Sequence, residues 1–424
     1  MTSNPIPWDL LPDTARMVDG RLHIGGCDVL EVAERFGTPV FIYDEEHLKT
    51  RCREGVDAFD DGVAYASKAF LCRAMARIAH DAGMHIDVAT GGEMHIALAA
   101  GVPGDKLVFH GNNKSMDELG FAIDSGVSRI VVDSFDEMDR IEALVEAGRP
   151  VPSVLLRINP GIDAHTHEYL QTGVPDSKFG FPLTEGIATE AITRARESRA
   201  MEFRGLHAHI GSQVFDVGNY AKAIASLAPF VNESSAEEFS IGGGLGVAYV
   251  EGEEADTITA WAETILGAAK ASGISARILA EPGRSIVARA SVTAYTVGTI
   301  KDLPGVRTYL SVDGGISENP RPVLYGSGYE AFLARAPESL RPMRARIVGK
   351  HCESGDIIVK EADLPADTVV GDILCTPVTG AYGHSMGSNY NKVARPAVVF
   401  VANGNARLVV ERETYDDMLI RDVG

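Results

Sequence analysis

An α/β protein, a (β/α)8 TIM-type barrel joined to a second, mostly antiparallel β domain, is the fold class this sequence predicts. Three observations predict it. The chain has 424 residues, more than one ordinary domain needs. Between about residues 60 and 290, short apolar runs alternate with amphipathic helical stretches, the pattern of a parallel sheet with crossover helices. Beyond 290, strand-like runs follow one another across turns without regular helices, as antiparallel sheets do.

The barrel strands are expected at 63–66, 86–88, 107–110, 130–132, 154–158, 205–209, 238–241 and 277–280. Helices are expected at 72–82, 92–100, 116–125, 135–147, 185–197, 218–228 and 257–271. Eight such units in roughly 230 residues is the size of a TIM barrel. The β domain has candidate strands at 292–300, 308–312, 344–348, 372–376, 397–402 and 406–412, with turns at Asp313-Gly314-Gly315 and Asn403-Gly404. Two early strand-like runs, 21–24 and 40–43, are not placed by pattern alone. The expected division is a barrel over 36–289 and a sandwich-like β domain over 1–35 and 290–424.

Composition narrows the function. A formal charge of -20 repels phosphate backbones, so nucleic acid is not an expected partner. No run approaches the ~18 apolar residues of a membrane span. The first residues carry no basic cluster followed by an apolar run, so a secretory leader is not expected. The five cysteines, Cys27, Cys52, Cys72, Cys352 and Cys375, are scattered without a C-x-x-C pair. This argues against a zinc ribbon or disulfide framework and fits a cytoplasmic protein.

A TIM barrel carries its active site at the C-terminal ends of its strands, and there the sequence is polar and glycine-rich. Lys68 follows the first strand, where partial desolvation would suit Schiff-base chemistry; alone it reads as a surface lysine. Gly242-Gly243-Gly244 follows the seventh strand and could cradle a phosphate or be a flexible turn. Ser212 and Arg284 lie on loops that could complete such a cradle. Glu281 ends the eighth strand, placed to keep a pyridine nitrogen protonated or to pair with Arg284. His207 and His209, two apart on one strand, share a face. They permit a metal pair, although no further ligand set with metal spacing accompanies them; His209 could instead lie flat on an aromatic cofactor. In the β domain, Cys352 stands between His351 and Glu353, a candidate proton donor or a structural free thiol. Gly380-Ala381-Tyr382 and Ser388-Asn389-Tyr390-Asn391 form a polar loop with no core to pack.

Together these residues resemble a family. Tyr65-Ala66-Ser67-Lys68, His209-Ile210-Gly211-Ser212-Gln213, Gly242-Gly243-Gly244-Leu245-Gly246 and Glu281-Pro282-Gly283-Arg284 are similar to the pyridoxal-phosphate barrel decarboxylases of ornithine, arginine and diaminopimelate. The resemblance runs from about residue 25 to 422. Arg157 to Gly161 with Ala164-His165-Thr166-His167, Lys178-Phe179-Gly180, Arg321-Pro322, Leu324-Tyr325, Cys352 to Asp356 and Arg412-Glu413-Thr414 look closest to the diaminopimelate group. The resemblance implies pyridoxal 5'-phosphate on Lys68. His209, Ser212, Gly243, Gly244, Glu281, Gly283, Arg284 and Tyr382 would bind the cofactor. Arg284, Arg321, Tyr325, Glu353 and Tyr382 would bind substrate, and Lys68 and Cys352 would be catalytic. It also implies meso-diaminopimelate as substrate, L-lysine and CO2 as products, and a homodimer with shared active sites. Another amino-acid decarboxylase of this fold and a metal-dependent barrel hydrolase are the alternatives.

Overall fold

A computed structural model describes residues 6–160 and 177–424. Gly161 and Ala164-His165-Thr166-His167 lie outside the described residues. The chain divides into two compact units: Arg51–Val247 with Ala255–Ser285, and Met1–Thr50 with Ala248–Glu254 and Ile286–Gly424. Among the described residues, no helix is long and apolar enough to cross a membrane.

The second of these units holds a nine-stranded sheet. Its main path runs Ile357–Leu364, Met343–Val348, Arg307–Val312, Ser291–Leu303, Val40–Asp44, Ala397–Ala402, Asn405–Val410; Ile373–Pro377 also pairs with Ser291–Leu303 and carries Phe332–Leu333. Pairing is antiparallel except where Arg307–Val312 meets Met343–Val348 and Ala397–Ala402 meets Val40–Asp44. Residues two apart on a strand share a face. Val40 and Ile42, Val292 and Ala294, and Val399 and Val401 accordingly fall in one buried cluster with Leu22 and Ile24. The early run at 40–43 therefore belongs in this sheet, held between two strands from the far end of the chain. Ile357–Leu364 was not anticipated: Lys360 and Glu361 are both exposed mid-strand, which breaks the alternation.

In the barrel unit, Ala64–Ala66, His85–Val88, Leu107–Phe109, Arg129–Val132, Ser153–Asn159, Glu202–Ala208, Glu238–Ser240 and Arg277–Leu279 pair in sequence order, all parallel. The ends of the sheet meet. Val63 bridges Ala280, and the Ala64 and Ala66 amides donate to the carbonyls of Ala280 (2.9 Å) and Pro282 (3.1 Å). A two-residue strand, Phe181–Pro182, adds to Ser153–Asn159. Helices start where short polar residues cap them. Thr90, Ser134 and Thr257 each accept from an amide three residues on. Ser115 and Glu118 form a reciprocal capping box.

Inside the barrel, Ala64, Val108, Val131, Leu155 and Leu279 form an apolar layer. The period of two then predicts what sits above it. One step toward the strand C-termini come Ala66, His110, Asp133, Arg157 and Glu281, four of them polar. The barrel changes there from packed core to chemistry.

Just beyond the third strand, Lys114 is 2% exposed. Its ammonium donates to the carbonyls of Gly111 and Val131 (both 2.7 Å) and to Glu137 Oε1 (2.6 Å). The other Glu137 oxygen accepts from the Asp133 amide at 2.9 Å. A buried ion pair is strongly destabilising to break, because it strands a charge. Lys114→Ala should cost ~3–5 kcal/mol, read as a lowered urea midpoint or Tm. Adding Glu137→Leu should recover much of that loss. A double variant no more stable than the single one would show that the ion pair is not what the position depends on.

Candidate active site

Glu281 follows the last barrel strand and is 8% exposed. Its Oε1 accepts from Ser240 Oγ at 2.8 Å, and its Oε2 lies 3.0 Å from His207 Nε2. His110 Nε2 stands 3.4 Å from Oε1 and 3.7 Å from Asp87 Oδ1. Burial pushes the Glu281 carboxyl upward, but the two histidines beside it prevail and hold it well below the usual carboxylate range. It is therefore an anion in a dry place, the partner a protonated ring nitrogen needs. His110 is itself raised: burial opposes its charge, and Asp87 and Glu281 more than offset that.

Beside this cluster lies the glycine loop. The Gly243 amide donates to His209 Nδ1 at 3.3 Å, and its carbonyl accepts from the Tyr220 hydroxyl at 3.1 Å. Desolvation first, and then the Lys68 charge, hold His209 well below its usual value. It is thus a neutral imidazole whose Nδ1 accepts and whose Nε2 carries the proton. Gly244 has φ +107, and a Cβ there would overlap the Gly211 carbonyl oxygen; only glycine fits. Gln213 clamps the loop from the other side, donating from Nε2 to the Val247 carbonyl at 2.7 Å. Gly283 must also stay small, since a Cβ would meet Ala66 Cβ and its carbonyl oxygen at 2.9 Å. Arg284 is buried, and its Nη2 donates to Ser212 Oγ at 3.0 Å. Lys68 lies in a single 3-10 turn, Ser67–Ala69, directly after the first strand, and its side chain is exposed.

These residues fit pyridoxal phosphate. Gly243, Gly244 and Gly283 make a cradle that side chains would fill, with the Arg284 cation and Ser212 hydroxyl beside it. Glu281 is an ionised carboxylate for the ring nitrogen, and Lys68 supplies a primary amine. The histidine pair considered for a metal divides instead: His207 turns to Glu281 and His209 to the Gly243 amide. Among the described residues, the one group that could converge on an ion is His110, His207 and Glu281, within 4.8 Å; His209 is not in it. Asp87, His110, Arg157 and Ser240 were not singled out from the sequence as site residues. Their position at strand C-termini is the feature that would have found them.

The other unit gathers the remaining predicted residues into two places. Arg321 opens a short helix, Arg321–Tyr325, and is 3% exposed. Its Nε donates to the Tyr329 hydroxyl (3.1 Å) and Nη2 to Ser327 Oγ (3.0 Å). The guanidinium lies 4.7 Å from the Tyr249 ring centre, 5.5 Å from that of Tyr325 and 5.9 Å from that of Tyr382. A buried cation is thus held by aromatic faces and neutral hydroxyls. Cys352 and Glu353 are both exposed. Their turn is nevertheless pinned: Asp356 accepts from the His351 and Ile316 amides at 2.9 and 2.8 Å, and Asn391 Oδ1 from the Cys352 amide at 2.8 Å.

Comparison with known proteins agrees with this chemistry. Residues 45–288 match the pyridoxal binding domain of the pyridoxal-dependent decarboxylases. The diaminopimelate decarboxylase of Bacillus subtilis is 43% identical over 421 residues, 95% of each chain. The crystal structure of diaminopimelate decarboxylase from M. jannaschii in complex with L-lysine has a TM-score of 0.89 at 33% identity, over 97% of this chain and 98% of that one. That from Helicobacter pylori, also with L-lysine, has a TM-score of 0.85 at 30% identity, over 92% and 98%. With a family match over more than half its length and such relatives over nearly all of it, the chain belongs to the pyridoxal-dependent decarboxylases, on the diaminopimelate decarboxylase branch.

Proposed function

We propose that the protein decarboxylates meso-2,6-diaminopimelate to L-lysine and CO2, the last step of lysine biosynthesis, as a cytoplasmic homodimer. The observation that carries the substrate assignment is the buried Arg321 guanidinium. Among the described residues its hydrogen-bond partners are neutral. A substrate with a second carboxylate at its far end meets that need, and ornithine has none. A guanidinium binds a carboxylate through two parallel N–H donors. Glu353 suits the ammonium beside it, and Tyr325 and Tyr382 supply hydroxyls.

When bound, pyridoxal phosphate supplies an electron sink for the pair left as the substrate carboxylate departs as CO2. The chain's own groups do the rest. Lys68, just after the first strand, would hold the cofactor through its primary amine. Ser212, Gly243, Gly244, Gly283 and Arg284 would hold the phosphate end, and the resemblance adds Tyr382. The neutral ring of His209 would support the cofactor ring, and Glu281 would keep its nitrogen protonated. Arg284 also contacts substrate. Cys352 or Lys68 returns one proton to the carbon that lost CO2, which completes lysine.

Purified protein given meso-diaminopimelate should release CO2 and L-lysine in equal amounts. Borohydride reduction should place the pyridoxyl label on Lys68; a label on another lysine overturns that assignment. Glu353→Gln removes the charge facing the distal ammonium and should lower kcat/KM by about tenfold or more, as loss of a charge-assisted hydrogen bond does. Faster turnover of ornithine or lysine than of diaminopimelate by the unaltered enzyme would refute the substrate assignment.

Exposure of Cys352 and Glu353 supports a site completed by a second subunit. A two-fold dimer contains two equivalent sites. If Lys68→Ala and Cys352→Ala subunits exchange at random, half the dimers are mixed. Each mixed dimer then carries one intact site, so activity should return to roughly a quarter of normal. Confirmed exchange without recovered activity would place the whole site in one chain.

A further inference from the structure

We propose that His207, acting with Ser240, is a positioning residue for Glu281: together they aim its carboxylate and keep it ionised, with lone pairs left over for the cofactor's ring nitrogen. The proposal rests on the reading of Glu281 given above and adds what makes that residue work.

A carboxylate offers about four lone-pair positions. Ser240 fills one on Oε1 and His207 one on Oε2, and His110 stands at a longer 3.4 Å from Oε1. An ionised carboxylate only accepts, so His207 must donate from Nε2. That choice leaves His207 Nδ1 as an acceptor, and it is buried without a hydrogen-bond partner among the described residues. A leucine there would avoid the cost of an unsatisfied buried nitrogen. The imidazole is thus poor packing but a good donor to Glu281, which points to function over stability.

Ser240 is directed in the same way. Its oxygen accepts from the Gly242 amide at 3.2 Å, which commits its proton to Glu281. The result is one chain of hydrogen bonds, from the first glycine of the phosphate loop through Ser240 to the carboxylate. Donors to the charged form favour it, and here they oppose a large desolvation penalty. The other titratable groups around Glu281 are Asp87 on the second strand and His110 just past the third, with Arg157, His209 and Lys68 further out. His110 lies between Asp87 and Glu281 and balances two carboxylates. His207 and Ser240 donate to Glu281 and to no other acidic group among the described residues.

The test uses holoenzyme loaded with cofactor carrying nitrogen-15 in its ring, whose chemical shift distinguishes protonated from neutral pyridine. Unaltered protein should show the protonated form from mildly acidic to mildly alkaline pH. In His207→Leu that form should give way to neutral nitrogen as pH rises. kcat should fall about tenfold, as when an orienting partner is removed, with little change in KM. His207→Gln, which restores an N–H donor, should recover both readings. Ser240→Ala should shift the titration in the same direction, a second route should His207→Leu fold poorly. A protonated nitrogen throughout the range in both His207→Leu and Ser240→Ala overturns the proposal and leaves the role of Glu281 intact. A neutral nitrogen in the unaltered protein, or no change in Glu281→Gln, overturns the role of Glu281 and the proposal with it.

Discussion

Closure of the barrel is the constraint on which the site depends. The Ala64 and Ala66 amides donate to the carbonyls of Ala280 and Pro282, residues more than two hundred positions away. Those bonds set Lys68, just past the first strand, beside Glu281-Pro282-Gly283-Arg284, just past the last. They also explain Gly283: the two backbones come so close that any side chain would strike Ala66. An open sheet of the same strands would hold Lys68 at one edge and Glu281 and Arg284 at the other. Hydrogen bonding of a parallel sheet, carried round to its own beginning, is what turns separate strand ends into one mouth.

Closure also creates the electrostatic problem the mouth must solve. Charges above an apolar layer have lost much of their water, and an isolated buried ion is costly. The barrel answers with alternation. Arg157 lies between the acids Asp133, Glu281 and Asp87, His110 between Asp87 and Glu281, and Lys114 against Glu137. Each charge has an opposite neighbour or several donors. Arg321, in the other unit, is the contrast: its described partners are tyrosines and a serine, which hold a cation without neutralising it. The first arrangement stabilises charges that must persist, and the second keeps one available.

Legibility in the sequence followed how local each feature is. All eight barrel strands lie close to the expected runs, because their apolar pattern and the polar residues after them are local. Val40–Asp44 was visible as a strand but not as a member of the second sheet, since its partners Ser291–Leu303 and Ala397–Ala402 are hundreds of residues away. Lys114 in Gly111-Asn112-Asn113-Lys114 reads as a surface loop residue; only the fold shows it buried. His207 was noticed as half of a metal pair. A shared strand face says which way two side chains point, not which neighbours curve round to meet them. Glu281 and Ser240 are those neighbours for His207, and the Gly243 amide is the neighbour for His209.

The turn carrying Cys352 and Glu353 shows order of a different origin. Apolar burial does not hold it, for both residues face solvent in the single chain. Asp356 holds it instead, taking the His351 and Ile316 amides and the His351 ring nitrogen at 2.8 Å. The same His351 ring lies parallel to that of Tyr390, 5.8 Å away between centres. Asn391, next to Tyr390, accepts from the Cys352 amide. Two polar loops distant in sequence are thereby locked to each other beneath an exposed thiol and an exposed carboxylate. Ordering a solvent-facing turn costs conformational entropy. The cost is recovered when the turn must meet a partner in a fixed geometry, because preorganised groups lose less on binding. Rigidity without burial is therefore what a segment needs if it is to complete a site on another subunit.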